Sequence, residues 1–154
     1  MRQVNGIESK RVIVLVGLPA SGKSTWLQRN MFPSLSSDDI RRLLRDDPAD
    51  QTINRAVFAT LRSLLRKRLE LGAAVTCIDA TNLTPRERRP YIKIAEGYGA
   101  RAEALLFDTP LAICKARNAT RERVVPDDIM DRMACRLVEP TPGEGFQYIE
   151  RISG

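Results

Sequence analysis

The sequence contains no histidine among its 154 residues. That absence excludes a Ser–His–Asp triad, a Cys–His catalytic pair and any metal site built on imidazole ligands. Acid–base chemistry in this chain must therefore come from carboxylates, lysine, tyrosine or cysteine. Aromatic residues are also scarce, at 5% of the chain, and this scarcity weighs slightly against binding single-stranded nucleic acid by stacking its bases on aromatic rings.

Long apolar runs are missing as well. No run approaches the roughly 18 residues that cross a bilayer, and the N-terminal segment MRQVNGIESK lacks the apolar core of a signal peptide. The three cysteines, Cys77, Cys114 and Cys135, are odd in number and widely spaced, which disfavours a disulfide framework or a zinc site. We expect all three to be reduced core residues of a cytoplasmic protein without a membrane segment.

The chain has the length of one domain, so residues 1–154 are predicted to form a single domain whose segment 1–10 is flexible. Short apolar runs alternate with longer amphipathic segments, which is typical of an α/β fold with a mainly parallel sheet and helices on both faces. The predicted strands cover 11–16, 33–37, 74–78, 102–107 and 146–152. The predicted helices cover 23–30, 40–44, 54–71, 85–98, 110–118 and 126–137.

The segment GLPASGKS, residues 17–24, matches the phosphate-binding pattern G-x-x-x-x-G-K-[ST] in full and lies between a predicted strand and a predicted helix. In such a loop backbone N–H groups and the helix N-terminus bind nucleotide phosphates, the lysine reaches the β- and γ-phosphates, and the serine ligates Mg²⁺. The sequence therefore predicts binding of ATP and Mg²⁺. The expected nucleotide-binding residues in this region are Gly17, Pro19, Ala20, Ser21, Gly22, Lys23, Ser24 and Thr25.

Carboxylates follow two predicted strands, where ligands of open α/β sheets bind. Asp79 ends the run VTCID and is predicted to hold Mg²⁺, directly or through water. Asp38 lies where it can reach an acceptor hydroxyl and take its proton, although SSDDI is also a helix-capping pattern. Arg41 lies three residues further on and can either hold an acceptor phosphate or form a local ion pair.

The net charge is +6, and the 25 basic residues are 20 arginines and 5 lysines. Arg121 and Arg123 lie within a segment, residues 119–125, and Arg117 lies two residues before it. This segment is predicted to be a lid closing over ATP, or else a solvated basic loop. A groove for a polyanion is one interpretation of Arg86, Arg88 and Arg89. The basic residues between 62 and 68 are instead expected on a solvated helix face.

Four segments in the same order, GLPASGKSTW, SSDDIR, IDATNL with PRERR, and ARNATR with VVP, resemble the kinase domain of phage and bacterial polynucleotide 5′-kinases and the small bacterial P-loop ATPases close to it. The resemblance implies a P-loop NTPase kinase-type three-layer fold with an arginine-bearing lid. It implies that Lys23 and Ser24 serve ATP and Mg²⁺, that Asp38 is the general base, and that Arg41 grips the acceptor's phosphate. It also implies that Arg121, with Arg117 beside it, binds the ATP phosphates.

The chain departs from that family at Ala80, which stands where the phage-type enzyme has an acid directly before Thr-Asn-Leu, while Asp79 lies one residue earlier. The sequence thus predicts an ATP-dependent kinase whose partner is a nucleic acid 5′-hydroxyl end. Two alternatives stay open: a kinase of a small-molecule hydroxyl (a nucleoside, sugar or antibiotic) and a regulatory ATPase with no acceptor.

Overall fold

The computed structural model describes residues 9–153, in which five strands form one parallel sheet of order β2-β3-β1-β4-β5. The strands are β1 (Arg11–Val16), β2 (Ser34–Ser36), β3 (Val75–Asp79), β4 (Arg101–Phe107) and β5 (Tyr148–Ile152). The predicted α/β fold with a parallel sheet is confirmed. The predicted flexible segment 1–10 lies outside the described residues except for its last two, of which Lys10 pairs with β4 by accepting from the N–H of Arg101 at 2.7 Å.

Six α-helices connect and flank the strands in the described chain: α1 (Lys23–Asn30), α2 (Ser37–Arg45), α3 (Asn54–Glu70), α4 (Pro85–Gly97), α5 (Leu111–Asn118) and α6 (Asp127–Arg136). Short 3₁₀ turns at Gln51–Ile53 and Pro142–Glu144 were not predicted. Helix α2 begins three residues earlier than predicted because Ser36 is its N-cap, the Ser36 hydroxyl accepting from the Asp39 N–H at 3.2 Å. None of the helices within residues 9–153 combines the length and apolar character needed to cross a membrane.

Strand β1 is buried on both faces and joins two parts of the core. Val12, Val14 and Val16 pack with apolar residues of α3 and α4, whereas Ile13 and Leu15 pack on the opposite face with α1. This alternation follows from the two-residue repeat of a strand, and the continuous apolar run RVIVLV is what a central parallel strand requires. Helices therefore cover both faces of the sheet, as predicted. They leave the carboxyl ends of the strands at one edge, where ligands bind.

The cysteines do not all lie in the core. Cys77 and Cys114 are buried, but Cys135 is exposed, so the prediction is wrong for Cys135. Helix α6 packs through a single stripe formed by Met130, Met133 and Ala134. Residue 135 falls outside that stripe because apolar contacts recur every three to four residues along a helix.

This arrangement predicts one reactive thiol in the native chain. Burial raises the pKa of Cys77 to about 12 and raises that of Cys114, so both thiols stay protonated and shielded at neutral pH. In a thiol titration with an aromatic disulfide reagent, we expect one equivalent to react fast and two to react only after unfolding. Cys135→Ser should remove the fast phase, and a fast phase that persisted in this variant would contradict the assignment.

Candidate active site

The loop that joins β1 to α1 is shaped by two glycines. Gly22 has φ of +108°, a backbone conformation that side chains disfavour, and it precedes the first residue of α1. A Cβ atom at Gly17 would lie 2.6 Å from the Ser21 Oγ and 3.0 Å from the Phe107 Cβ, so only glycine fits. The buried Ser21 hydroxyl has no hydrogen-bond partner within residues 9–153. The loop thus keeps polar capacity for a ligand at a helix N-terminus, which fits a phosphate group.

Lys23 is folded back into this loop. Its Nζ donates to the carbonyl oxygens of Gly17 at 2.6 Å and Leu18 at 2.8 Å. Burial lowers the pKa of Lys23 to about 8, although the nearby Asp79 carboxylate acts in the opposite direction. Phosphate oxygens are stronger acceptors for an ammonium than carbonyls are. Lys23 can therefore exchange these two bonds for contacts with a nucleotide.

The sheet brings Asp79 and Asp38 to one edge. Ser36 at the end of β2 lies opposite Asp79 at the end of β3, and Asp38 follows two residues later. Burial raises the pKa of Asp79, Lys23 lowers it, and the neighbouring charges of Asp38 and Asp39 raise it. A cation beside Asp79 would relieve this unfavourable environment.

Asp79 and Ser24 line the same cleft, and together they supply a carboxylate and a hydroxyl oxygen. No group of three or more acidic or cysteine side chains that could hold a metal occurs in the described part of the chain. Mg²⁺ typically uses only one or two protein oxygens and keeps several waters, so the predicted pair fits this ion.

Asp38 contacts two arginines, Arg41 of its own helix and Arg123 of the distant predicted lid. Its Oδ1 lies 2.9 Å from Arg41 Nη1 and 3.2 Å from Arg123 Nη1. No residue between 9 and 153 donates a hydrogen bond to the other oxygen, Oδ2. Because Ser36 is the N-cap of α2, the capping role that the sequence left open for Asp38 is not used. The Asp38 side chain is half exposed and lines the cleft.

Arg41 is 3% exposed, and the local ion pair that the sequence allowed is present. Its second terminal nitrogen, Nη2, donates to Asn54 Oδ1 at 2.8 Å, while its buried Nε has no partner in the described structure. Asn54, which the sequence reading missed, begins α3. Arg41 thus fixes the position of Asp38 against α3 and keeps one free N–H group.

The predicted lid, residues 119–125, connects α5 to α6. Arg117, Arg121 and Arg123 all line the cleft, so the structure brings the three arginines together with Lys23. The buried Asn118 fastens the two ends of the segment, because its side chain donates to the Val125 carbonyl at 2.7 Å and accepts from the Val125 N–H at 3.0 Å. The sequence offered no signal for this contact beyond an asparagine next to the arginine-rich segment.

The cleft has a volume of about 780 Å³, within the usual range for small-ligand sites. Aromatic residues are scarce in the chain, yet Trp26, Phe58 and Phe107 all line this cleft. Trp26 packs edge-on against Phe107 with ring centroids 6.3 Å apart. The cleft therefore combines the phosphate loop, the two carboxylates, the lid arginines and three aromatic rings.

Arg88 does not line a polyanion groove, so that prediction is wrong for this residue. It is fully buried and forms a double salt bridge with Glu144, at 2.8 and 3.0 Å. It also donates to the carbonyls of Asn82 and Val138, each at 2.9 Å. Asn82 in turn donates to the Leu15 carbonyl at 2.7 Å, next to the phosphate loop. Arg88 is thus a structural anchor beneath the cleft.

Comparison with known proteins identifies the family. The model of the AAA domain family matches residues 12–140, so the chain belongs to this family, whose P-loop implies nucleotide (ATP) binding. A curated relative, the bifunctional polynucleotide phosphatase/kinase of Schizosaccharomyces pombe, is 23% identical over 150 residues. The alignment covers 94% of this chain and 34% of the relative, so the chain spans about a third of that protein's length.

Solved structures share the fold. A chain of the Pnkp1/Rnl/Hen1 RNA repair complex matches with a TM-score of 0.74 and 20% identity, over 89% of this chain and 47% of that one. A gluconokinase from Sinorhizobium meliloti 1021 matches with a TM-score of 0.61 and 16% identity, over 95% of this chain and 83% of that one. At these identities the likeness establishes the fold, and it confirms the predicted P-loop kinase-type architecture.

Proposed function

We propose that this member of the AAA domain family is an ATP-dependent phosphotransferase that transfers the γ-phosphoryl group to the 5′-hydroxyl end of DNA or RNA. The observation that carries the proposal is the state of Asp38. Arg41 and Arg123 both contact Oδ1, and no residue of the described chain donates a hydrogen bond to Oδ2. A carboxylate held at one oxygen and free at the other is suited to accept a proton from a hydroxyl.

The reaction is an in-line displacement. The acceptor hydroxyl attacks the γ-phosphorus, its proton passes to Asp38 Oδ2, and the bond to the β-phosphate oxygen breaks to release ADP. The two arginine contacts disperse the charge of Asp38 and fix the direction in which Oδ2 lies. Asp38 therefore acts as the general base with little motion of its side chain.

Cations surround the position of the transferring group. Lys23 and Arg121 stabilise the charge that spreads over the equatorial oxygens, and Arg117 binds the phosphates from the edge of the lid. Ser24 and Asp79 are the residues that would hold Mg²⁺, which when bound neutralises phosphate charge. The roles that the resemblance implied for these residues are thus supported by their placement in one cleft.

The acceptor side is formed by α2 and α3. Gln51, Asn54 and Phe58 line the cleft together with Arg41, the residue that the resemblance assigns to the acceptor phosphate. Phe58 offers an aromatic ring for a base at this side, which offsets the low aromatic content of the chain. A nucleotide with a 5′-hydroxyl and a 3′-phosphate has the groups that this surface can bind.

A second candidate, a kinase of a small-molecule hydroxyl such as a sugar, is supported by the likeness to the gluconokinase, which spans 95% of this chain with a TM-score of 0.61. Both candidates use Asp38 as the base, so the two differ only in the identity of the acceptor.

A competition assay makes this distinction. The chain is incubated with γ-labelled ATP, Mg²⁺ and a 5′-hydroxyl oligonucleotide, with or without an excess of unlabelled nucleoside 3′-phosphates, nucleosides or sugars. We expect the oligonucleotide to be labelled. Nucleoside 3′-phosphates should reduce the amount of label, and sugars should leave it unchanged. Label on a sugar or free nucleoside, with none on the oligonucleotide, would overturn the proposal in favour of the second candidate.

A further inference from the structure

We infer that the groove between α3 and α4 binds the phosphate backbone of the nucleic acid strand whose 5′ end lies in the cleft. The identity of the strand rests on the proposed function, but the groove is a separate surface. Five cationic side chains line it, and the remaining lining residues are apolar, aromatic or glycine. The cations are Arg62 and Arg66 from α3 and Arg86, Arg89 and Lys93 from α4. We name this set the α3–α4 groove.

The cations of the α3–α4 groove have no carboxylate partner within residues 9–153. None of the five has a carboxylate within 4.0 Å or a side-chain hydrogen bond to any residue in the described chain, and no carboxylate lines the groove. By contrast, ten arginines elsewhere in residues 9–153 each lie within 4.0 Å of a carboxylate. Five cations without a carboxylate partner thus line one groove, and a polyanion is the ligand that complements them.

The sequence builds this groove by helical spacing. Residues 86, 89, 93 and 97 recur at three- and four-residue intervals along one face of α4, and Arg62 and Arg66 are one turn apart on α3. The opposite faces of both helices are apolar and buried in the core. Like charges one turn apart destabilise a helix, so this arrangement costs stability that a bound polyanion would offset.

The groove continues from the cleft. Phe58, one turn before Arg62 on α3, lines the cleft, as does Glu87, the neighbour of Arg86 on α4. From Arg86 to Gly97 the groove follows α4 for about 16 Å at the rise of an α-helix. With a volume of about 750 Å³ it has room for a few successive nucleotides of a strand leaving the cleft.

A double variant, Arg86→Gln with Arg89→Gln, tests the inference by direct binding. Both side chains are exposed, and both lie outside the cleft. We expect the affinity for a fluorescent 5′-hydroxyl single strand, measured by anisotropy with the full chain, to fall about 10-fold. The slope of log K against log salt should decrease in magnitude by about 1.4, the value for two lost phosphate contacts to a single strand.

The matched control is Arg101→Gln with Arg132→Gln, which removes the same charge from two exposed arginines outside the groove. This control should retain the wild-type affinity and slope. Equal losses in the two double variants would overturn the inference, because the effect would then reflect net charge alone. Unchanged oligonucleotide binding in the groove variant would also overturn it. A third outcome would also overturn it: if the groove variant lost binding to anionic phosphatidylserine vesicles but kept oligonucleotide binding, the groove would be a membrane-binding surface.

Kinetics separate this inference from the proposed function. In the groove variant the KM for a long 5′-hydroxyl strand should rise about 10-fold, while kcat and the KM for a nucleoside 3′-monophosphate stay at wild-type values. Failure of the wild-type chain to label any nucleic acid acceptor would refute the proposed function, and the anisotropy experiment would still decide whether the groove binds a strand. An equal rise in KM for both acceptors would place the effect in the cleft and would contradict strand binding by the groove.

Discussion

Replacing Asp38 by asparagine is expected to reduce the rate of phosphoryl transfer by about 10²- to 10⁴-fold, the usual contribution of a general base. The amide has nearly the same shape as the carboxylate, and its oxygen can still accept a hydrogen bond from Arg41. What it loses is the ability to take a proton at the second oxygen. Nucleotide affinity, measured with a fluorescent ATP analogue, should therefore change little while transfer collapses.

Asp39→Asn is the matched control for this experiment. Asp39 is the next residue of the same helix and has the same charge, but it is exposed and lies 3.7 Å from Arg42 rather than in the cleft. Its variant should transfer phosphate at close to the wild-type rate. If D38N and D39N were equally active, Asp38 would not be the base. If D38N left ATP hydrolysis unchanged, and if neither D38N nor the wild-type chain labelled any acceptor, a regulatory ATPase without an acceptor would be favoured.

Replacing Arg88 by methionine is expected to lower the free energy of unfolding by about 3 to 5 kcal/mol, the range for removing one partner of a buried ion pair. Arg88 is fully buried, and its loss would leave the Glu144 carboxylate unpaired together with the carbonyls of Asn82 and Val138. Urea unfolding followed by circular dichroism measures the change, with the slope of the transition checking that unfolding stays two-state.

Two further variants make this prediction specific. Arg89→Met alters the next residue of the same helix, which is exposed, and should change stability by no more than about 0.5 kcal/mol. The double variant R88M/E144M removes both charges and should recover part of the lost stability, because no isolated carboxylate remains. A loss below about 1 kcal/mol for R88M would contradict a structural role for this salt bridge.

The parts of the fold that could be predicted are those set by local pattern. The apolar run of β1, the glycine-rich loop and the helical stripe of α3 specify their elements without reference to the rest of the chain. The start of α2 was missed because four consecutive residues, Ser36 to Asp39, all have side chains that can cap a helix. Only the hydrogen bond from the Asp39 N–H to the Ser36 hydroxyl decides among them.

The parts of the candidate site that could be predicted are those that carry a sequence motif. The phosphate loop, Asp38 and the lid arginines were identified as separate segments, and the cleft brings them together. The contacts among them were not predictable, because the approach of Arg123 to Asp38 depends on how the lid folds over the sheet edge. Arg88 was misread for the same reason: its partner Glu144 lies 56 residues away, and no local pattern indicates that pairing.

The central claim is that the acceptor is a 5′-hydroxyl end. It is tested most directly with two oligonucleotides of identical sequence, one with a 5′-hydroxyl and one with a 5′-phosphate, each incubated with γ-labelled ATP, Mg²⁺ and the full chain. We expect label to be incorporated into the first strand at its 5′ end and not into the second. Label found only as inorganic phosphate, or on both strands equally, would contradict it.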